Sequence, residues 1–446
     1  MRPTRAGPVG YAEWTSRRVA LPARQGAKLP PWDNGVMSNP ATLQRYAHVI
    51  LHVGVGLQSG QRLVVRAPIE AADLVREVVR AAYEHGSPYV HVLWSDDAVT
   101  LTRFESAPEG SFSEVPYGAA EAMEGMAARG DAVVSILGSD PELLAGVDAG
   151  RVAESRAANQ KAMAPFYRYI MSDGVAWTIA AVPTHAWAKR VFPDAAEGDA
   201  LARLWDAVTT AVRLDRDDPV AAWSEHVDGL ERLASRLNDH RFDVLHFTAP
   251  GTDLTVGLAD GHLWKGGGSV APSGTPFVAN LPTEEVFTAP YAARVNGTVA
   301  ASKPLAYNGR LIEGLRMTFE EGVAVHAEAD RGQEALDGLL ATDDGARRLG
   351  EVALVSVDSP IHQSGVLFLE TLFDENAAVH IALGRAYRFN VEGGPSMSEG
   401  EAAEAGLNDS LTHVDFMIGS EAMDVDGIKS DGTVTPIMRA GRFVLD

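Results

Sequence analysis

The segment from Thr412 to Ile418 places an imidazole and a carboxylate at alternate positions of an otherwise apolar sequence. Alternate residues of a strand point to the same face, so His413 and Asp415 share one face and aliphatic side chains occupy the other. Such a polar pair costs free energy if it is buried without a partner. The partner could be a divalent cation, or the two side chains could hydrogen-bond to each other on a solvated sheet. The motif alone favours the hydrogen-bonded pair, because a single His-x-Asp is common.

Three further segments carry ligand-type side chains beside strongly apolar, strand-like sequence, and those side chains are Glu285, Glu351 and His380. A lone histidine in such a place is usually a core residue, and a carboxylate at a strand end is usually solvated. No Lys or Arg stands within these segments as an obvious partner. A shared cation site would therefore account for all four segments together.

Composition limits the chemistry that this chain of 446 residues can perform. It has no cysteine, which excludes disulfides, thiolate metal sites and cysteine nucleophiles, so a catalytic metal must be held by His, Asp and Glu. The formal net charge of −22 disfavours binding to phosphate backbones, and nucleic acid is not an expected partner. His-Glu-x-x-His, Gly-x-Ser-x-Gly and phosphate-loop motifs are all absent from the sequence. A metal site must then be assembled from distant segments.

The sequence also predicts where the protein resides. No stretch reaches the roughly 18 apolar residues of a membrane span, and no apolar export region follows Arg17 and Arg18. We therefore expect a water-soluble, cytoplasmic protein with no membrane partner. Residues 1–36 lack apolar periodicity and are predicted to be a poorly structured extension. A helix-start signal follows Met37 at once, which makes Met37 a candidate for the true start.

The elements that must position the ligand-type residues fall into two halves. Strands are predicted at 62–67, 89–94, 132–137 and 175–182, and helices at 71–85, 199–212 and 220–237. This alternation predicts an N-terminal α/β domain with a mostly parallel sheet over residues 37–240. Alternating segments such as 252–258 and glycine clusters predict a β-rich C-terminal catalytic domain with scattered helices over residues 241–446. The fold class is thus α/β plus α+β.

Several motifs, in order along the chain, resemble those of the aminopeptidase T family, the aminopeptidase II-type metallo-aminopeptidases. They read APIEA at Ala67–Ala71, GTDLTVGL at Gly251–Leu258, NLPTEEVFTAP at Asn280–Pro290, HIALGRAY at His380–Tyr387 and HVD at His413–Asp415. The likeness runs from about Met37 to the C terminus and covers nearly the whole chain.

This resemblance implies a site with two divalent metal ions and a catalytic tyrosine. The implied metal ligands match Glu285, Glu351, His380, His413 and Asp415, and the tyrosine matches Tyr387. It also implies an N-terminal α/β domain, a C-terminal catalytic domain and a homodimer. The family's pattern does not usually include the extension before Met37.

A mechanism follows from these residue types. Three carboxylates and two imidazoles suit two divalent ions, with Glu351 or Glu285 as the bridging carboxylate. The mixed ligands fit Zn, Co or Mn, with Mg also accommodated. An activated water would then release the N-terminal amino acid from a peptide with a free N terminus, and the Tyr387 hydroxyl could donate to the developing oxyanion. Glu284 and Glu375 are candidates for the general base, which stays unassigned.

Two other classes of protein fit some of the same residues. A two-metal phosphoesterase would use similar ligands and would need cations such as Arg385 and Arg388 to bind phosphate. A non-catalytic homologue would keep the fold and bind metal without turnover. The presence of all six implied residue types favours the aminopeptidase.

Overall fold

The structure, a computed structural model, describes residues 39–307 and 310–445. The predicted extension of residues 1–36 and the candidate start at Met37 lie outside the described residues.

The helices of the described chain are α1 (Pro40–Val49), α2 (Ala72–His85), α3 (Asp97–Ser106), α4 (Ala119–Ala128), α5 (Ala149–Met171), α6 (His185–Val191), α7 (Glu197–Ala211), α8 (Pro219–His240), α9 (Gln333–Leu340), α10 (Pro360–Ser364), α11 (Thr371–Asp374) and α12 (Glu399–Glu404). Its strands are β1 (Leu63–Pro68), β2 (Val90–Ser95), β3 (Ala132–Leu137), β4 (Trp177–Ala181), β5 (Val244–Ala249), β6 (Thr252–Leu258), β7 (Lys265–Gly266), β8 (Ser269–Val270), β9 (Pro276–Phe277), β10 (Glu285–Thr288), β11 (Pro290–Ala300), β12 (Leu305–Tyr307), β13 (Arg310–Ile312), β14 (Arg316–Glu320), β15 (Val323–Glu328), β16 (Leu349–Val355), β17 (His380–Gly384), β18 (His413–Met417), β19 (Asp424–Ile428), β20 (Val434–Arg439) and β21 (Arg442–Phe443).

The first half forms a parallel sheet in the order β2-β1-β3-β4. β1 is buried along most of its length, as expected for a parallel strand covered on both faces. Helix α2 ends at Gly86, whose left-handed backbone (φ 100°) closes the helix. The strands predicted in this half lie within two residues of the observed ones, and the predicted α/β architecture with a parallel sheet is confirmed.

The second half is dominated by two sheets. One has eight strands in the order β15-β14-β11-β6-β5-β19-β20-β21, and the other has five in the order β18-β17-β16-β10-β7. Apolar side chains of both sheets, among them Phe247, Val256, Leu354 and Ile381, pack into one core. The predicted β-rich half with scattered helices is confirmed. The smaller sheet carries the residues of the candidate site.

The two halves also share backbone pairing. Ile179 of β4 donates its N–H to Ala279 O (2.7 Å), and Leu281 donates to Ile179 O (2.9 Å). Phe277 and Leu281 belong to the same apolar core as the parallel sheet. Helix α8 ends at His240 and β5 begins at Val244, while the domain boundary placed at 240 stays a prediction.

No helix among the described residues has the length and hydropathy that a bilayer crossing requires.

Candidate metal centre

All five implied ligands lie on one face of the five-stranded sheet. Glu351 of β16 is opposite Ala382 of β17, which is opposite Asp415 of β18. Side chains directly opposite one another in a sheet point to the same face, so the two carboxylates flank the small methyl group of Ala382. Neighbouring strands are about 4.8 Å apart, and only a small residue between them lets the flanking side chains converge.

The remaining ligands follow from the same pairing. His413 is opposite Gly384, and both lie two residues along from the Asp415–Ala382 pair, so His413 shares the ligand face. His380 precedes Ala382 by two residues and also shares it. Glu285 joins this face through its pairing with Val355 on β16. His413 and Asp415 thus share their face of the sheet with ligand-type residues from three other strands.

The ligand atoms form two groups that share one residue. Glu285, Glu351 and His380 offer ligand atoms that all lie within 4.8 Å of one another, and so do Glu351, His413 and Asp415. The Oε1 of Glu351 is 3.8 Å from His380 Nε2, and its Oε2 is 3.6 Å from His413 Nε2. Glu351 therefore has one oxygen near the histidine of each group.

Both histidines are oriented by backbone carbonyls. His380 Nδ1 is 3.1 Å from Ala378 O, and His413 Nδ1 is 2.7 Å from Arg385 O. An imidazole that donates its Nδ1–H to a carbonyl leaves the Nε2 lone pair free for a metal. On each ring Nε2 is the atom that faces the carboxylates: it is 2.9 Å from Glu285 Oε2 in His380 and 3.5 Å from Asp415 Oδ2 in His413.

The site concentrates negative charge on side chains that are largely buried. Glu351 is 4% exposed, and burial together with the charges of Asp415 and Glu285 raises its pKa well above the usual value. Although burial opposes it, the bond with Glu285 and the surrounding carboxylates raise the pKa of His380 to about 9. Asp415 Oδ1 is shielded from solvent and accepts no hydrogen bond from the described residues. Divalent cations would satisfy these groups, so the donor set fits the implied metals.

Tyr387 lies against the same pocket. Its ring is 4.8 Å from the ring of His413 and 5.1 Å from that of Phe389. Burial and the nearby carboxylates raise its pKa well above the usual value, which keeps the phenol protonated. Its hydroxyl has no hydrogen-bond partner among the described residues, in contrast to the backbone bond that a structural tyrosine would make.

The two candidate bases point in different directions. Glu284 faces away from the pocket, where its Oε1 is 2.7 Å from Arg213 Nη2. Glu375 lies in a 3₁₀ turn after α11, is 8% exposed and lines the pocket. Burial, and then the charges of Asp415 and Glu285, raise the pKa of Glu375 well above its usual value. Of the two, Glu375 is the residue that could exchange a proton within the pocket.

The pocket above the ligands has a volume of about 160 Å³ and includes residues that sequence reasoning did not assign. Trp177 and Met171 come from the first half, and the glycine cluster at 266–268 forms part of the rim. A Cβ at Gly266 would lie 2.6 Å from Val286 Cγ1, so glycine there permits the close approach of β7 to β10. In the sequence, the glycine cluster was the only sign of these additional pocket residues. No sequence pattern indicated that Trp177 and Met171 of the first half would line the pocket.

The cations proposed for a phosphoesterase do not line this pocket. Arg385 Nε is 3.2 Å from Asp409 Oδ1, and Arg388 donates to Met397 O at 2.7 Å. The geometry therefore does not support phosphate binding by these two arginines.

A cluster of buried carboxylates and imidazoles on a sheet beneath a pocket is typical of a metal-dependent hydrolase. A family model described as thermophilic metalloprotease (M29) matches residues 39–443. The chain belongs to this family and is a metal-dependent peptidase, which confirms the resemblance inferred from its motifs.

Relatives match over most of their length. Aminopeptidase 2 of Geobacillus stearothermophilus is 48% identical over 91% of this chain and 98% of its own. Aminopeptidase T of Thermus thermophilus is 47% identical over 90% of this chain and 98% of its own. The solved structure of wild-type AmpT from Thermus thermophilus superposes with a TM-score of 0.85 at 46% identity, covering 90% of this chain and 99% of that one.

Proposed function

We propose that this protein is an aminopeptidase that releases N-terminal amino acids from peptides by means of two divalent metal ions. The observation that supports two ions rather than one is the position of Glu351, which has an oxygen facing each of two separate ligand groups. Glu285 and His380 would hold one ion, His413 and Asp415 would hold the other, and Glu351 would bridge them. The names of the relatives support an aminopeptidase among the peptidases.

When bound, the two ions would supply Lewis acidity and lower the pKa of a water. Glu375 would accept the proton of that water, because it faces the pocket and no arginine or lysine pairs with it among the described residues. Its raised pKa suits it to keep that proton and pass it to the leaving amine. Glu375 is thus our choice for the general base that the sequence left unassigned.

Tyr387 would stabilise charge in the transition state. Its unpartnered hydroxyl and raised pKa make it a neutral donor beside the ligands, and donors placed where an oxyanion develops accelerate acyl transfer. The ring is held by stacking on Phe389 and by a tilted contact with the His413 ring, so the hydroxyl needs no bond of its own to be positioned. A carboxylate-rich pocket also favours the positively charged end of a peptide.

The test compares matched peptides with free and acetylated N termini. We expect turnover of the free peptides to be abolished by a chelator and restored by Zn, Co, Mn or Mg, with acetylated peptides resistant under every condition. Metal analysis of the restored enzyme should give two ions per chain. Equal cleavage of acetylated peptides would contradict the aminopeptidase, and full activity at one ion per chain would contradict the two-metal site.

The homodimer and the cytoplasmic location that the resemblance and the sequence imply belong to the same proposal. Sedimentation of the purified protein would test the first and cell fractionation the second. A monomer at assay concentration, or recovery from a secreted fraction, would contradict them.

A further inference from the structure

A second and larger cavity, which we name the basic cleft, opens beside the metal pocket and has a volume of about 1250 Å³. It shares Met171 and His413 with the pocket, so the two spaces border each other at the candidate ligand His413. Its walls come from α4, α5 and the first two strands on one side and from residues around Thr412 on the other. A chain that extends out of the pocket can therefore enter this cleft.

The charges of the basic cleft are opposite to those of the protein as a whole. The chain has a formal net charge of −22, and the pocket beside the cleft is lined by buried carboxylates. The cleft-lining residues, by contrast, include no Asp or Glu and five cations, which are Arg66, Arg156, Lys161, Arg168 and Arg385. Segregation of this kind creates a local positive potential within an anionic molecule.

Four of these cations, all except Arg385, have no carboxylate partner among the described residues. Arg385 pairs with the exposed Asp409, and the guanidinium of Arg156 lies 5.7 Å from the Tyr307 ring. Among the described residues, Arg66, Lys161 and Arg168 make no ion pair or side-chain hydrogen bond. Their charges are available to an anion that enters the cleft.

The spacing along α5 sets the length of such an anion. Arg168 precedes Met171 by three residues and Lys161 precedes it by ten, which at 1.5 Å per residue places them about 5 Å and about 15 Å along the helix from the pocket. An extended peptide advances about 3.3 Å per residue. Arg168 would then face the first or second residue beyond the cleaved bond, and Lys161 would face about the fourth.

A peptide held by its N terminus is itself a dipole, with an ammonium at one end and a carboxylate at the other. We propose that the basic cleft binds the carboxylate of the departing part of a short peptide substrate, and so favours peptides of about three to six residues with a free C terminus. This inference rests on the proposed aminopeptidase function. The same cations would accept an acidic side chain at those positions, because the two carboxylates share their chemistry.

The experiment uses the metal-loaded enzyme and three matched tripeptides: Leu-Gly-Gly, its C-terminal amide, and Leu-Gly-Glu amide. We expect kcat/KM for the free acid to exceed that for the amide by about tenfold, mainly through KM, with the difference shrinking as salt is raised. The third peptide separates the sources of the carboxylate. If it matches the free acid, side-chain carboxylates are bound as well, and if it matches the simple amide, the cleft binds the C terminus alone.

The variant that tests the residues is Lys161→Gln combined with Arg168→Gln. Both side chains are exposed, so the melting temperature should not change. The ratio of kcat/KM for the free acid to kcat/KM for the amide should fall to about one, because only cleavage of the free acid should become slower. Arg62→Gln is the matched control, because Arg62 is exposed at the other end of β1 and does not line the cleft. It should leave the ratio unchanged.

The outcomes separate the two proposals. A wild-type enzyme that cleaves acid and amide equally well, or a preference that survives the double substitution, would overturn the basic cleft while leaving the aminopeptidase intact. A wild-type enzyme that cleaves none of the three peptides would overturn the aminopeptidase and the cleft with it.

Discussion

Glu284 and Glu285 are adjacent in the chain at the start of β10 and equally shielded, each with 8% of its surface exposed, yet their side chains have different surroundings. Glu285 faces His380 and the other carboxylates. Glu284 faces the segment after α7, where Arg213 lies 2.7 Å away, and helix α8, where His226 lies 3.5 Å away. The guanidinium of Arg213 is itself 4.8 Å from the centre of the Trp223 ring.

The difference shows that the surroundings of a buried carboxylate decide how its charge is balanced. On the Glu284 side a fixed cation from the protein partly balances the charge, and the cluster ties β10 to the helices. On the Glu285 side no lysine or arginine pairs with the carboxylates among the described residues, and the balance must come from outside the chain. The Glu284–Arg213 pair is therefore structural, whereas the carboxylates around Glu285 are suited to binding a metal cation.

The largest effect is expected from Glu351→Gln, which keeps the size of the side chain and removes the charge that both ligand groups share. We expect both ions to be lost or weakened and kcat/KM to fall on the order of 10⁴-fold. Metal analysis after dialysis and a peptide turnover assay would measure this. Glu284→Gln is the matched control, since it makes the same change on the other side of β10 and should keep two ions. Two full equivalents bound to the Glu351 variant would refute its bridging role.

Breaking the ion pair between Glu284 and Arg213 should instead lower the stability of the fold. Arg213→Met leaves a buried carboxylate without its cation, and we expect the free energy of unfolding to fall by about 3–5 kcal/mol. Burial raises the pKa of Glu284 to about 7 although Arg213 opposes the shift, so the loss should be larger above pH 7, where the carboxylate must be charged. Denaturant unfolding at pH 6 and pH 8 would show this. Adding Glu284→Gln to the variant should recover most of the loss, and no recovery would contradict the pairing.

The next effect concerns Tyr387, which belongs to the pocket side. Tyr387→Phe keeps the ring contacts with His413 and Phe389 and removes only the hydroxyl, so kcat should fall on the order of 10²-fold with metal content and melting temperature unchanged. Steady-state kinetics beside metal analysis would separate the roles. A near-normal kcat would remove the hydroxyl from the mechanism.

The smallest effect is a change in how stability depends on pH. Burial and Arg213 lower the pKa of His226 to about 3, so the folded protein keeps this ring neutral where the unfolded chain, with an ordinary pKa near 6.5, would protonate it. The stability it contributes is present above pH 6.5 and is lost as pH falls toward 3. His226→Gln should therefore lose less stability than the wild type between pH 6.5 and pH 4, as followed by thermal unfolding. Identical pH profiles would contradict the neutral ring.

Sequence reasoning identified the ligand residue types but could not complete the site. Period-two alternation alone placed His413 and Asp415 on one face, as the structure shows. The proposal that Glu351 rather than Glu285 is the bridging carboxylate depends on the register of β17. In that register Ala382 lies between Glu351 and Asp415. That register is set by pairing between segments about thirty residues apart, which local patterns do not encode.

The same limit explains the general base and the cleft. Glu284 contacts Arg213 and Asn376, which are distant in sequence, and only the folded chain shows that these contacts turn Glu284 away from the pocket. The cations of the basic cleft range from Arg66 to Arg385, so no window of sequence shows them together. In the first half, by contrast, strands and helices follow local periodicity, and their prediction needed no long-range information.

The pairing of residues 279–281 with β4 has a consequence for how this chain can be divided. A fragment that stops at His240 would leave the outer edge of β4 without the hydrogen bonds that Ala279 and Leu281 supply. It would also uncover the apolar surface that Phe277 and Leu281 protect. An open edge beside exposed aliphatic side chains is a template for intermolecular strand pairing. Expressed alone, the N-terminal half would aggregate, and the two halves would unfold in a single cooperative transition.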